Sequence, residues 1–364
     1  MPTLRATVVT TPGIEPVTTA ELAGLGIDCR PAGRGLLSVR VPPRQLYLAL
    51  LALRTAERVQ VDLARFPAGS FSELGRGLEA VPWEQVLPRG EAPEVHAAAN
   101  RSRLYHTGAI VERVSGHIGG TLPPSGAQRI LVRIERDVAT VSADAGGEPL
   151  HRRGWRLEGA RAPLRETLAA AMLLATGWTG EVPLVDPMGG SGTIAIEAAL
   201  LARRSPPGLG RAMAVQRWPS FEPGTWGAAR AAATACMTSR SPAPILVSDR
   251  DAGAMRAARA NADRAGVTAD VEFAEQALSA LAPPSPFTWV VTNPPYGDRV
   301  GGGRDLRDLY ARLGAICRER LRQGRVVLLV ADQALASSTR LPLQEILRTR
   351  NGGIPVRLLA TPSR

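Results

Sequence analysis

The stretch Val182-Pro183-Leu184-Val185-Asp186-Pro187-Met188-Gly189-Gly190-Ser191-Gly192-Thr193-Ile194-Ala195-Ile196 decides how this chain is read. It begins as a short apolar run ending in an acid, the pattern of a buried strand. It ends by opening a segment rich in Ala, Ile and Leu, residues 193–202, that suits a helix. Between the two, three glycines let the backbone turn sharply and approach a ligand closely. The helix that follows presents free N–H groups. The spacing is not GxGxxG. Nor is it a phosphate loop ending in Gly-Lys-Ser/Thr, because the 364-residue chain contains no lysine.

The same design recurs downstream. Residues 245–249 form another apolar strand ending in an acid, Asp249, and residues 288–292 form a third, followed by Asn293-Pro294-Pro295-Tyr296. Helices are expected over 165–176, 255–265 and 306–322, and a further strand over 326–331. Strands alternating with helices imply an α/β fold with a doubly wound, largely parallel sheet. Such sheets bind ligands at the carboxyl ends of their strands, near the switch point. Residues 205–244, rich in Pro, Gly, Trp and Ala, read as an insertion between the first helix and the second strand.

Asp249 directly ends its apolar run, where an acid accepts hydrogen bonds from ribose hydroxyls; Asp251 suits a helix cap. In Asn293-Pro294-Pro295-Tyr296 the two prolines stiffen the turn and remove two donors. What remains is the Asn293 carbonyl, the Pro294 carbonyl and the Tyr296 ring. That set suits a flat, weakly nucleophilic NH2 group: two acceptors for its hydrogens and an aromatic face for its ring.

Together the three motifs resemble class I S-adenosylmethionine-dependent amino-methyltransferases. The resemblance implies that Asp186, Pro187, Gly190, Ser191, Gly192 and Thr193 hold the methionine end of the cofactor. Asp249 then serves the ribose, with Arg250 also at the cofactor, and Gln276 and Ala277 the adenine. Asn293, Pro294 and Tyr296 are the catalytic set, with Asn293 also beside the cofactor. These motifs alone leave adenine N6, guanine N2 and a glutamine side-chain nitrogen open as acceptor.

The N-terminal half has mixed α+β patterning. Helices are expected over 15–25, 44–56, 71–80 and 105–118, strands over 36–41, 58–66 and 94–99, and a hairpin of 130–135 with 138–143 about Arg136-Asp137. Here Leu53-Arg54-Thr55-Ala56-Glu57-Arg58-Val59, Pro82-Trp83-Glu84, Ser102-Arg103-Leu104-Tyr105-His106-Thr107, His151-Arg152-Arg153-Gly154-Trp155-Arg156 and Ala162-Pro163-Leu164-Arg165-Glu166-Thr167-Leu168 resemble THUMP-domain RNA guanine-N2 methyltransferases. The resemblance covers nearly the whole chain. It implies a ferredoxin-like module at 1–55, a THUMP RNA-binding domain at 56–150, a basic linker at 151–165 and a Rossmann-like methyltransferase domain at 166–364. Residues 208–219 look closer to the branch acting on large-subunit rRNA, so 23S rRNA is the expected substrate. A tRNA guanine-N2 enzyme is the alternative; a DNA adenine-N6 methyltransferase and an inactive RNA-binding or assembly protein are further ones. Two positions depart from the family pattern. Gly189 stands where Cys or another small residue is common, an exchange expected to be tolerated, and Gln276 stands where an acid usually contacts adenine.

Charge fits a nucleic-acid partner without locating it. The 44 basic residues, all arginine, outnumber 33 acids for a net +11. Residues 1–160 carry 19 Arg and 16 acids (+3), and residues 161–364 carry 25 and 17 (+8). Arginine forks suit phosphate contacts and base stacking, and the absence of lysine excludes Schiff-base chemistry. The RNA contacts expected are Arg101, Arg103, Tyr105 and His106, then Arg152, Arg153, Trp155 and Arg156 at the junction, which Arg161 and Arg165 extend. Arginines at 304–322 are expected to pair with Asp305, Asp308 and Glu319. No apolar run reaches the roughly 18 residues of a membrane span, and residues 1–10 lack a signal-peptide pattern. Cys29, Cys236, Cys317 and the four histidines form no metal motif. The expectation is a cytoplasmic, metal-free, monomeric enzyme.

Overall fold

The computed structural model describes residues 3–119, 126–157, 164–296, 306–321 and 323–362. The first half runs β1 (Leu4–Thr10), α1 (Glu15–Gly24), β2 (Cys29–Gly33), β3 (Leu36–Val41), α2 (Pro43–Ala52), β4 (Ala56–Pro67), α3 (Phe71–Glu79), β5 (Glu94–Asn100), α4 (Thr107–Ile118), β6 (Arg129–Glu135) and β7 (Val138–Asp144). Its strands form one sheet in the order β2-β3-β1-β4-β7-β6-β5. Alternation sorts the two faces. Ala6 and Val8 of β1 join a core with Leu22, Leu46, Leu74 and Ile110 from the four helices, whereas Arg5 is exposed. The β6–β7 hairpin turns at Arg136 and Asp137, with φ of 50° and 61°, as a two-residue turn of the right twist requires.

The expected division at residue 55 falls at the edge of a shared element. β4 pairs with β1 on one side and with β7 on the other, so one sheet continues across it.

The second half runs α5 (Glu166–Thr176), β8 (Leu184–Asp186), α6 (Thr193–Ala202), α7 (Pro223–Thr234), β9 (Ile245–Asp249), α8 (Ala252–Arg264), β10 (Val271–Glu275), β11 (Trp289–Thr292), α9 (Leu306–Arg320), β12 (Val326–Val330), α10 (Gln333–Ser338), β13 (Gln344–Asn351) and β14 (Ile354–Ala360). The order is β10-β9-β8-β11-β12-β14-β13. The first five strands are parallel, and β14 and β13 add an antiparallel hairpin. From β8 the chain moves outward to β9 and β10, then returns to β11 and β12 on the other side. The sheet is Rossmann-like, and its switch point lies between β8 and β11.

The two halves interlock. The segment read as an insertion folds onto the N-terminal half: Val215, Trp218 and Ala229 belong to the first core. Tyr47 of α2 packs against Phe221 and Trp226, with ring centroids 5.7 and 5.5 Å apart, and Trp218 Nε1 donates to Gln128 Oε1 at 2.6 Å. In exchange, Ile14 and Val17 from the start of the chain sit in the core of the second sheet.

In the described part of the junction, residues 151–157, some side chains turn inward, and three of the expected RNA contacts are corrected. Arg153 is buried, ion-paired at 3.3 Å with the wholly buried Glu197, and donates to the carbonyls of Leu150 and Arg54. Trp155 lies in the second core. Arg156 pairs with Glu166 at 3.3 Å and donates to Thr193 Oγ1 at 2.9 Å. A guanidinium enclosed by partners in low dielectric has no face left for a phosphate. Arg152 stays exposed, paired with Glu148 at 2.6 Å, and Arg165 lies 3.7 Å from Glu57. Arg161 falls outside the described residues, as do Arg304, Asp305 and Arg322. On α9, Arg318 and Arg320 donate to the carbonyls of Thr339 and Leu281 rather than to the acids expected. No described helix is long and apolar enough to cross a membrane. Among the described residues no group of three His, Cys, Asp or Glu side chains could hold a metal.

Candidate active site

Three strand ends converge at the switch point. β8 ends at Asp186, β9 at Asp249, and β11 at Thr292, next to Asn293. Asp186 is buried, and desolvation pushes its carboxyl up to about 7. The Thr292 hydroxyl and the Met188 N–H, 3.3 Å away, act against that rise, and the nearby Asp249 charge adds to it. The Asp249 carboxylate accepts the Gly190 N–H and the Asp251 N–H, each at 3.1 Å, and so ties the glycine turn to its own strand.

Backbone geometry explains the glycines. Gly190 and Gly192 have φ of 51° and 81°, a region that side chains rarely adopt. At Gly189 a Cβ would overlap Val247 Cγ2, so the glycine fits beside this valine where a side chain would not. α6 starts at Thr193 with no side-chain cap, which leaves its first amides to an incoming group. Ser191 and Thr193 are buried and held from behind. The Ser191 carbonyl accepts Asn261 Nδ2 at 3.1 Å, and Thr193 takes the bond from Arg156. Pro187 is buried and Arg250 exposed. Asp251 caps α8 as expected, accepting from Gly253 and Ala254. The Gln276 N–H donates to the Asp249 carbonyl at 3.0 Å, which sets Gln276 and the exposed Ala277 beside that strand end.

Two neighbouring acids, Asp186 and Asp249, and an uncapped helix N-terminus suit a ligand bearing both cationic groups and a carboxylate. S-adenosylmethionine has a sulfonium, an ammonium and a carboxylate, and the donor set fits it.

Beyond Asp186, the turn after β11 offers acceptors. Asn293 Oδ1 is buried and has no hydrogen-bond partner among the described residues. An orphaned amide oxygen is costly in a native fold and marks a place for a donor. Pro294 is buried. The Pro295 carbonyl accepts from Tyr310 Oη at 3.4 Å, and Tyr296 Oη accepts from Asn351 Nδ2 at 2.8 Å. Sequence reasoning missed Asn261, Tyr310 and Asn351, and assigned to RNA the Arg156 that braces Thr193. Only Asn261 gave a signal, as an asparagine in the middle of an Ala-rich helix that disfavours it.

A separate cluster forms where β5 leads into α4. Arg101 is exposed at φ 48°, and Arg103 is exposed while bonding Asp137 through its backbone N–H at 2.7 Å and Nε at 2.8 Å. Tyr105 is 66% exposed and stacks on His106 with centroids 4.1 Å apart. All four residues read as RNA contacts in this loop are exposed, and two of them, Tyr105 and His106, are in ring contact.

Comparison with known proteins agrees with this geometry. The model of the RMKL-like methyltransferase domain matches residues 153–355, and that of the RlmL ferredoxin-like domain matches residues 5–60. The chain is 32% identical over 314 residues to YpsC of Bacillus subtilis, covering 83% of this chain and 81% of that protein. It is 34% identical over 372 residues to the ribosomal RNA large subunit methyltransferase K/L of Syntrophotalea carbinolica, covering 95% of this chain but 52% of that enzyme, so it spans about half the relative's length. A crystal structure of SMU.472 complexed with SAH superposes with a TM-score of 0.89 at 27% identity, covering 100% of this chain and 99% of that one. The chain belongs to the RMKL-like methyltransferase family, and its cofactor is S-adenosylmethionine.

Proposed function

We propose that this protein methylates the exocyclic N2 of a guanine in structured RNA, with large-subunit rRNA as the substrate. The observation that carries the reading is the buried Asn293 Oδ1, without a hydrogen-bond partner among the described residues, next to the end of β11 at the switch point. Bound S-adenosylmethionine supplies an electrophilic methyl group. Asn293 Oδ1 and the Pro294 carbonyl accept the two hydrogens of the acceptor amine and aim its lone pair, and Tyr296 holds the base plane. Such positioning supplies several kcal/mol of the barrier. The base reaches the pocket by leaving its stack or from a loop. Asp249 serves the ribose, with Gln276 and Ala277 at the adenine. The choice of RNA is supported by the names of two relatives, one a ribosomal RNA methyltransferase and the other, YpsC, assigned provisionally to RNA methylation.

RNA capture falls to the exposed Arg101, Arg103, Tyr105 and His106, with Arg152 at the junction, on a THUMP-type region extending from the shared strand β4 to β7. The enzyme then acts as a cytoplasmic monomer. The test offers labelled cofactor with total rRNA, tRNA and genomic DNA, followed by mass spectrometry of the nucleosides. N2-methylguanosine from rRNA is expected; label confined to tRNA or to DNA adenine overturns the substrate. Asn293→Ala lowers turnover about a hundredfold or more with cofactor affinity kept, whereas Asp249→Ala weakens cofactor binding measured by calorimetry.

A further inference from the structure

The hairpin of β13 and β14 lies on the far edge of the second sheet, yet one of its residues reaches the Asn-Pro-Pro-Tyr turn. Asn351 ends β13, is buried, and donates from Nδ2 to Tyr296 Oη at 2.8 Å. The strand is fixed two residues earlier on the same face. Thr349 is buried and its Oγ1 donates to the Pro12 carbonyl at 2.9 Å. Gly13 packs so closely on this strand that a Cβ there would overlap the Arg348 carbonyl. Gly352 and Gly353, with φ of 54° and 90°, then turn the chain back into β14. β13 is thereby clamped by the N-terminal half, and its last side chain is presented to Tyr296.

Building on the function proposed above, we propose that Asn351 is a positioning residue for the acceptor base: through Tyr296 Oη it sets the plane of the ring on which that base rests. The Tyr296 ring packs against the second core, and the turn that carries it holds two prolines that cannot donate. A tyrosine ring can swing about χ1 and χ2, and a buried amide donor on its hydroxyl fixes the far end of that lever. The role assigned to Asn351 is exerted through the tyrosine, by its bond to Tyr296 Oη.

A two-residue cycle on the full chain tests this: wild type, Asn351→Ala, Tyr296→Phe and the double variant. Each is assayed for kcat and KM on rRNA and for cofactor Kd. Asn351→Ala is expected to lower kcat on RNA about tenfold to a hundredfold, the size of a small misplacement, with Kd for cofactor within twofold. In the Tyr296→Phe background it has little further effect. Additive losses, or an unchanged kcat, overturn the proposal. A second measurement does not depend on the substrate. Fluorotyrosine labelling of the chain's four tyrosines, with Tyr296 assigned through Tyr296→Phe, gives a 19F signal for its ring in the presence of S-adenosylhomocysteine. Asn351→Ala must shift or broaden that signal; an unmoved signal sinks the proposal. If the signal moves but wild-type enzyme leaves RNA unmethylated, the substrate reading fails while the positioning contact stands.

Discussion

Two sets of arginines, indistinguishable as sequence, have opposite fates in this protein. In the junction run His151-Arg152-Arg153-Gly154-Trp155-Arg156, Arg153 and Arg156 turn inward and meet Glu197 and Glu166, buried acids on α6 and α5. In Arg101-Ser102-Arg103, both arginines stay on the surface, where the one acid met, Asp137, comes from the next hairpin turn. The difference lies in the partners. A guanidinium enters low dielectric only where a carboxylate and several carbonyls already wait for it. Arg54, likewise buried, donates to the carbonyls of Leu200 and Ser205, and burial lowers its pKa. Arg54 and Arg153 thereby bolt the N-terminal half to the cofactor half. Arg156 goes further, reaching Thr193 at the mouth of the glycine turn.

Breaking the inward set is expected to cost most. Arg153→Ala removes the ion-pair partner of the buried Glu197 and leaves it only the nearby Arg54 and Arg156 charges, a loss of about 3 kcal/mol in urea unfolding. A loss below about 1 kcal/mol would place Arg153 with the surface arginines and dissolve the distinction. Next in size is a pH effect in the same half. Asp186 titrates at about 7 when folded, against 3.8 for the ordinary carboxyl. The folded state therefore holds a proton that the unfolded chain has released, and cofactor-free stability falls by a few kcal/mol as pH rises from about 4 to 7. Above that it levels off. Asp186→Asn should flatten the slope, and a wild-type stability rising over that window would refute the assignment. Smallest is Arg152→Ala, which removes only an exposed i,i+4 pair with Glu148. Unfolding free energy should change by less than about 0.5 kcal/mol, while the salt dependence of RNA binding loses about one phosphate contact.

The sequence was most legible where local pattern and tertiary role coincide. β9 and α6 were read with their bounds intact, because a parallel strand buried on both faces is a continuous apolar run and a buried Ala-rich helix has no competing pattern. The motif residues at the ends of β8, β9 and β11 gather at one switch point for the same reason. β2 and β13 were not read as strands. One is Cys-Arg-Pro-Ala-Gly and the other carries exposed arginines on alternate positions, so neither has an apolar face of its own to reveal. The segment at 205–244 was taken for an insertion, although its aromatic residues complete the core of a sheet that ended sixty residues earlier. No periodicity within a segment can report a partner supplied from elsewhere.

The sequence by itself determined the alternation of strands and helices, the glycine turn, the acids at two strand ends and the Asn-Pro-Pro-Tyr turn, since each depends on neighbours in the chain. Tertiary structure alone decided which arginines are buried, that the 205–244 segment closes the N-terminal core, and that Asn351 meets Tyr296. Those contacts join residues tens to hundreds of positions apart. Their energies depend on desolvation and on partners gathered by the whole fold, and no local pattern records them.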